Sequence, residues 1–253
     1  MILHNVLRNH PALDSYKGKI MDLINNGLVR VNGKTMRRNR SFVIERDTFE
    51  VCLEDRWITL EHEIERTVIL MYKPRGYLCT HKDHFGRDKI YDLLPEQYRT
   101  LRSAGRLDQD SEGLLILSDD GYYLFGLTSP KFPCNKVYLV GLEQELSQDM
   151  INEAASGNFV IQRDGVDQQL RPVTVEPIDE RTQTDHQYLQ LEEDLFWYEF
   201  TLQEGKYNQI RKMCNMYGNP VQRLIRIQHR EYTLTKSTVN EVYSILSVRS
   251  KKT

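Results

Sequence analysis

The sequence lacks a paired-cysteine motif. Its four cysteines, Cys52, Cys79, Cys134 and Cys214, lie far apart and form no CxxC. That pattern disfavours a disulfide framework or a zinc knuckle, fits a reducing cytoplasm, and reads as buried, inert thiols. The chain also lacks any apolar run near the roughly 20 residues that a membrane helix needs. Its opening, MILHNVLRNHPALDSYKGK, carries too short an apolar segment and too many polar residues for a signal peptide. Repeats and low-complexity tracts are absent, and so is an overall basic charge: the formal net charge is −2. What is present is 253 residues with 40% hydrophobic and 28% charged content. That is ordinary for a globular protein, with room for one large domain or a large and a small one.

The near-neutral total averages over opposed segments. From Arg30 to Arg46, six Arg or Lys face one acid, and from Glu204 to Arg230 the ratio is again six to one. Acids collect elsewhere, as between Val175 and Phe196. A solvated charged face is the ordinary reading of such a run, and two basic stretches nearly free of acid also suit a polyanionic partner.

The pattern divides near residue 60. In SYKGKIMDLINNG, Ile20, Leu23 and Ile24 fall at helical spacing before an Asn-Asn-Gly stop. LVRVNGKTM predicts a hairpin about Asn32-Gly33, and DTFEVCL alternates as a further strand. The polar EDRWITLEHEIER reads as a link. Beyond it, TVILMYKP, GLLILSDD, KVYLVGLE and LFWYEFTLQEG read as strands, with Tyr198, Phe200 and Leu202 on one face. The unbroken apolar run of GLLIL implies cover on both faces. Asp119 or Asp120 can cap a short helix through GYYLFGL. NQIRKMCNMYGNP is the clearest helix, with Ile210, Met213, Cys214 and Tyr217 as its stripe and Gly218-Asn219-Pro220 as its stop, and NEVYSILSV gives a late strand. The assembly expected is α+β: a mixed, mostly antiparallel sheet with packed helices over residues 61–253, and a small N-terminal α/β module over residues 1–60.

Three residues stand out for chemistry, each with a plain alternative. Asp108, in GRLDQDSEGLLIL, sits in a turn before the buried strand: a turn Asp bonding its own backbone, or a reacting carboxylate held rigidly. Asp108 and Asp110 resemble a glycosidase pair, but neighbours two apart need not converge, and Asp110 reads as the solvent-facing one. Tyr138 faces opposite to Val137 and Leu139: a sheet aromatic, or a ring stacked on a base. Arg211 opens the helix after Gly205: a surface cation, or a partner that keeps a carboxylate ionised. HKDH (residues 81–84) matches no familiar metal-ligand spacing.

Four elements in order carry a family resemblance. AGRLDQDSEGLLILSDDG is similar to the G-R-L-D-x-x-[ST]-x-G-L-L signature of the RsuA-type branch of ribosomal RNA pseudouridine synthases. YKPRGYLCT resembles that family's N-K-P-x-G element, with Tyr72 where Asn is usual. SPKFPCNKVYLVGLE resembles its K-x-Y-x-V segment, and EGKYNQIRKMCNMYGNPVQRLIRI its E-G-[RK]-x-x-Q-[IV] and L-x-R-[IV] element. Together they span Leu70 to about Ile227. The segment Arg30 to Arg46 resembles more weakly an RNA-binding module shared with a small-subunit ribosomal protein; the usual R-L-D-K opening is absent and ILHNVLRNHPALD stands in its place.

The resemblance implies isomerisation of uridine to pseudouridine in ribosomal RNA. Asp108 would be the essential aspartate, Tyr138 would stack on the target uracil and Arg211 would pair with Asp108. Arg106 would fill the place of the displaced nucleotide, and Leu224 would pack beneath uracil or ribose. Lys73, Lys206, Gln209, Arg37, Arg38 and Arg40 would contact RNA. No cofactor and no metal are implied. The expected partner is ribosomal RNA or an assembly particle, for a monomer acting in the cytoplasm away from membranes. The target reads as small-subunit (16S) RNA, because LTSPKFPCNKVYLV resembles the small-subunit branch and no tRNA-recognition domain is evident. The alternatives are a large-subunit (23S) target, a non-catalytic ribosome-assembly protein, and an N-glycosidase that releases free base.

Overall fold

The computed structural model describes residues 3–38, 47–60 and 64–250. The chain forms two compact units: Met1–Thr67 with Asp120–Tyr123 and Ser247–Thr253, and Val68–Asp119 with Leu124–Leu246.

In the first unit, helix α1 (Leu3–Arg8), a 3₁₀ stretch (Pro11–Lys19) and helix α2 (Ile20–Asn25) precede four strands, β1 (Val29–Val31), β2 (Lys34–Met36), β3 (Phe49–Leu53) and β4 (Arg56–Leu60). The sheet order is β2-β1-β3-β4. Asn32 and Gly33 take φ of 52° and 75°, the left-handed geometry that a two-residue hairpin turn requires. Leu3, Leu7, Ile20, Ile24, Val29 and Phe49 bury against one another. The segment read as a polar link instead supplies β4. Leu60 is its inward residue, and its other side chains are exposed, which hid the strand from a periodicity reading.

Strand β5 (Ile64–Lys73) leads into the second unit. There follow β6 (Arg102–Ser103), β7 (Glu112–Ser118), helix α3 (Gly121–Thr128), β8 (Lys136–Leu142), helix α4 (Gln148–Ser156), β9 (Val160–Arg163), β10 (Val166–Gln169) and β11 (Thr174–Pro177). Helix α5 (Glu180–Asp185), β12 (Phe196–Leu202), helix α6 (Gln209–Met216), β13 (Val221–His229), β14 (Tyr232–Thr233), helix α7 (Lys236–Glu241) and β15 (Tyr243–Ser250) complete the order.

The large sheet runs β11-β12-β8-β13-β7-β5-β15. Pairs β11–β12, β12–β8, β8–β13 and β5–β7 are antiparallel, whereas β13 and β7 run parallel. The fold is α+β with a mixed sheet. Every residue of β7 is buried. Leu115 and Leu117 pack with Ile69, Met71 and Ile90 on one face. A second core joins Val140, Phe200, Leu202, Ile210, Met213 and Cys214. The backbone N–H of Tyr123 donates to Asp120 at 3.1 Å, so Asp120 is the cap of α3.

Gly113, in β7, lies opposite Arg226 in β13. Its φ is +107°, and a Cβ there would meet the Arg226 backbone nitrogen at 2.6 Å and the carbonyl oxygen closer still. Glycine is therefore obligatory at this parallel junction. Gly113→Ala is expected to destabilise by about 3 kcal/mol or more, whereas Gly126→Ala, with open space around its Cβ position, is expected to be neutral or mildly stabilising. Thermal denaturation of the two variants checks the contrast.

Candidate active site

The loop between β6 and β7 carries Asp108, and it is braced from three sides. Lys73, at the end of β5, is 0% exposed. Its ammonium donates to the carbonyls of Pro74, Gln109 and Ser111 at 3.0, 3.1 and 2.6 Å. The turn after it adds a backbone bond from Gly76 to Gln109 at 2.8 Å, returned by the Gln109 side chain to Gly76 at 3.1 Å. Cys79 closes a second side, its sulfur lying 3.4 Å from the Leu107 carbonyl and 3.5 Å from the Leu107 nitrogen. On the third side Arg211, in the first turn of α6, donates to the Asp110 carbonyl at 3.0 Å, to the Ser111 hydroxyl at 3.4 Å and to the Val221 carbonyl at 3.1 Å.

Two expectations change here. Lys73, expected to contact RNA, spends all three ammonium protons on loop carbonyls and has no exposed surface. It is a structural clamp. Gln209, also expected on RNA, is 4% exposed and ties Glu204 to Lys206 within its own loop. Arg211 reaches the backbone around Asp108, and its guanidinium acts on the carboxylate through space.

The Asp108 side chain is half-buried beside a cavity of about 230 Å³ lined also by Arg106, Tyr138, Lys206, Arg211 and Leu224. The structure thus brings Asp108, Tyr138, Arg211, Arg106, Leu224, Lys206 and Gln209 to one cavity and leaves Lys73 beneath it. Arg37 and Arg38 are exposed in the first unit, and Arg40 lies outside the described residues. Burial pushes the Asp108 carboxyl above the usual carboxylate range, while the charges of Arg211, Arg106 and Lys73 oppose that rise and the like charge of Asp110 adds to it. The other aspartate of the loop, Asp110, is exposed.

One residue that motif reasoning did not single out touches Asp108 directly. Asn208 precedes α6 with φ 52° and ψ 32°, and its side chain makes no helix-cap bond. With its amide nitrogen facing the carboxylate, it donates to both Asp108 oxygens, at 2.7 and 3.1 Å. In the sequence Asn208 falls at an unspecified position of the E-G-[RK]-x-x-Q element, so nothing in the motif marks it. Tyr207 beside it is half exposed, with Arg163 and Lys212 cations 5.8 and 5.6 Å from its ring centre. Tyr72, at the position where the resemblance expects Asn, donates its hydroxyl to Glu112. Glu112 also receives Arg223 at 2.7 Å, so the departure belongs to a buried ionic network away from the cavity. His81 stacks on Tyr91 and bonds the Leu101 carbonyl at 3.0 Å. Cys134 and Cys214 are buried, and burial pushes the Cys214 thiol up to about 12.

A carboxylate on an immobilised loop, sharing a cavity with an aromatic ring and several cations, suits an enzyme that works on a nucleotide drawn out of its stack. The comparisons narrow that class. Residues 67–216 match the model of a family described as RNA pseudouridylate synthase, more than half of the chain, and the chain belongs to that family. Over 229 residues it is 29% identical to the ribosomal small subunit pseudouridine synthase A of Pasteurella multocida, covering 89% of this chain and 88% of that relative. It is 27% identical over 222 residues to the ribosomal large subunit pseudouridine synthase B of Yersinia pestis, covering 86% of this chain and 64% of that one. A crystal structure of a pseudouridylate synthase shares the fold with a TM-score of 0.60 at 24% identity, over 98% of this chain and 96% of that one.

Asn208→Gly keeps the left-handed backbone and deletes the amide. The turnover rate is expected to fall about 10- to 100-fold, the worth of one charge-assisted hydrogen bond, with RNA affinity little changed. The acid limb of the pH–rate profile should move to higher pH, because lost donors no longer favour the charged carboxylate. An unchanged rate and an unmoved limb would remove Asn208 from the site.

Proposed function

We propose that this pseudouridine synthase converts a uridine of small-subunit (16S) ribosomal RNA, with Asp108 as the reacting carboxylate. The observation that carries the reading is the placement of Asp108 and Tyr138 on one cavity, with Asn208 and the surrounding cations keeping the carboxylate aimed and charged. The reaction breaks the bond from the sugar carbon to N1 of uracil and forms one from the same carbon to C5. The C5 proton leaves and N1 gains one, so atoms and electrons balance within the nucleotide. The carboxylate meets the electron-poor sugar carbon. Tyr138 offers a face to the loosened uracil, Leu224 and Leu202 close the cavity against water, and Arg106 offsets part of the unstacking cost.

The small-subunit target is supported by the relative of that name, whose length the chain matches almost throughout. The first unit serves as an RNA-docking surface through Arg30, Lys34, Arg37 and Arg38; Arg30 lies over the Trp57 ring at 3.8 Å, leaving a flat cationic face. The protein acts as a monomer in the cytoplasm. No helix among the described residues is long and apolar enough to cross a membrane.

The test incubates the protein with unmodified 16S and 23S RNA and with assembly particles, then maps pseudouridine. One modified position in 16S RNA is expected. Asp108→Asn should lower the rate by at least about 10³-fold while RNA binding survives. Modification confined to 23S RNA would overturn the target, and near-normal turnover by Asp108→Asn would overturn the catalytic assignment.

A further inference from the structure

A second cavity, of about 360 Å³, adjoins the first and shares Arg106, Tyr138, Glu204, Gly205 and Lys206 with it. Its lining includes two polar side chains that are almost wholly buried. Arg226 is 2% exposed and His229 is 0% exposed. Arg226 gives its Nε–H to the Leu114 carbonyl at 2.7 Å. Its Nη2 has no hydrogen-bond partner among the described residues. His229 Nε2 lies 3.1 Å from the Leu127 carbonyl. A carbonyl can only accept, so Nε2 carries the hydrogen and Nδ1 is a bare lone pair. That Nδ1 also has no partner. Burial holds the ring neutral, with its pKa down to about 3.

The backbone is built to bring these two together. Residues three apart on a regular strand face opposite sides. The register of β13 against β8 shifts between Arg226 and Gln228. Such a bulge re-aims one side chain, and both residues consequently line the same cavity. An unpaired buried donor and an unpaired buried acceptor each destabilise the folded chain, a cost that a ligand bearing the complementary pair removes. Around them stand Phe132, a half-exposed ring at 48%, and the cations Arg106, Lys136, Arg171 and Lys206. A flat edge with an acceptor beside a donor, a π face and a nearby anion are the attributes of a nucleotide.

We propose that this cavity is a second nucleotide subsite, which takes the unstacked base next to the target uridine. Arg226 Nη2 donates to that base, His229 Nδ1 accepts from it, Phe132 stacks on it, and the rim cations hold its phosphate. The proposal rests on the functional reading above. Tyr138 forms a wall of both cavities, so consecutive nucleotides of one strand occupy them.

The test measures RNA affinity. The probe is a fragment of 16S RNA carrying the uridine that the protein converts, with each neighbouring nucleotide replaced in turn by an abasic ribose that keeps its phosphate. If no fragment is converted, the catalytic reading fails by itself, and the tightest-binding fragment serves as the probe. One abasic position beside the target should weaken wild-type binding about tenfold, the worth of a stacked base. Phe132→Ala and His229→Leu should bind that abasic RNA and the intact RNA within about twofold of each other, since the partner of the missing base is gone. Phe132 is surface-exposed, so its variant decides the question even if His229→Leu does not fold. Equal abasic penalties in wild type and Phe132→Ala, or no penalty at any neighbouring position, would overturn the subsite.

Discussion

The site depends on one buried cation. The Lys73 ammonium lies under the Asp108 loop and binds three carbonyls of the loop and its neighbouring turn. A buried lysine is costly unless its protons are all used, and here the three contacts use them. Burial draws its pKa down to about 8. Above that pH the neutral amine has two protons for three carbonyls, so the loop loosens on the alkaline side. The same ammonium is one of the charges that oppose the burial-driven rise of the Asp108 pKa. Lys73 thus fixes the loop and joins Arg211 and Arg106 in favouring the charged carboxylate.

From that clamp the rest follows in layers. Strand β7 is buried on both faces and carries the far end of the loop. The parallel junction of β7 and β13 sets that strand against Ile225 and Arg226, and it tolerates only Gly113 at the crossing. Helix α6 begins where the carboxylate needs donors. Asn208 supplies them from a backbone conformation that few residues other than glycine adopt readily. Arg211, one turn along, ties the same helix to the loop backbone. Precision at this site is a matter of fixed backbone, with side chains from three separate segments bracing the loop that carries one carboxylate.

Much of this was legible in the sequence. The hairpin at Asn32-Gly33, the doubly covered strand GLLIL, the face shared by Tyr198, Phe200 and Leu202, and the helix of Ile210, Met213 and Cys214 follow from periodicity and turn chemistry. Three of the four ordered motifs supply residues that line the cavity. Three things were hidden. β4 has one inward residue and no alternation to detect. A lysine in a motif looks like an RNA contact, because nothing local reveals that its partners are carbonyls some 36 and 38 residues away. Asn208 and His229 act through backbone devices, a left-handed residue and a strand bulge, that leave no mark in a pattern of residue types.

The most direct test of this account is the single-turnover rate of Lys73→Met measured beside its RNA affinity. Methionine fills similar space without the ammonium. The account predicts a folded protein whose RNA affinity is nearly that of wild type and whose rate falls about 100-fold or more, as for a catalytic group displaced by about an ångström. A normal rate with weakened RNA binding would contradict it and make Lys73 a substrate contact after all.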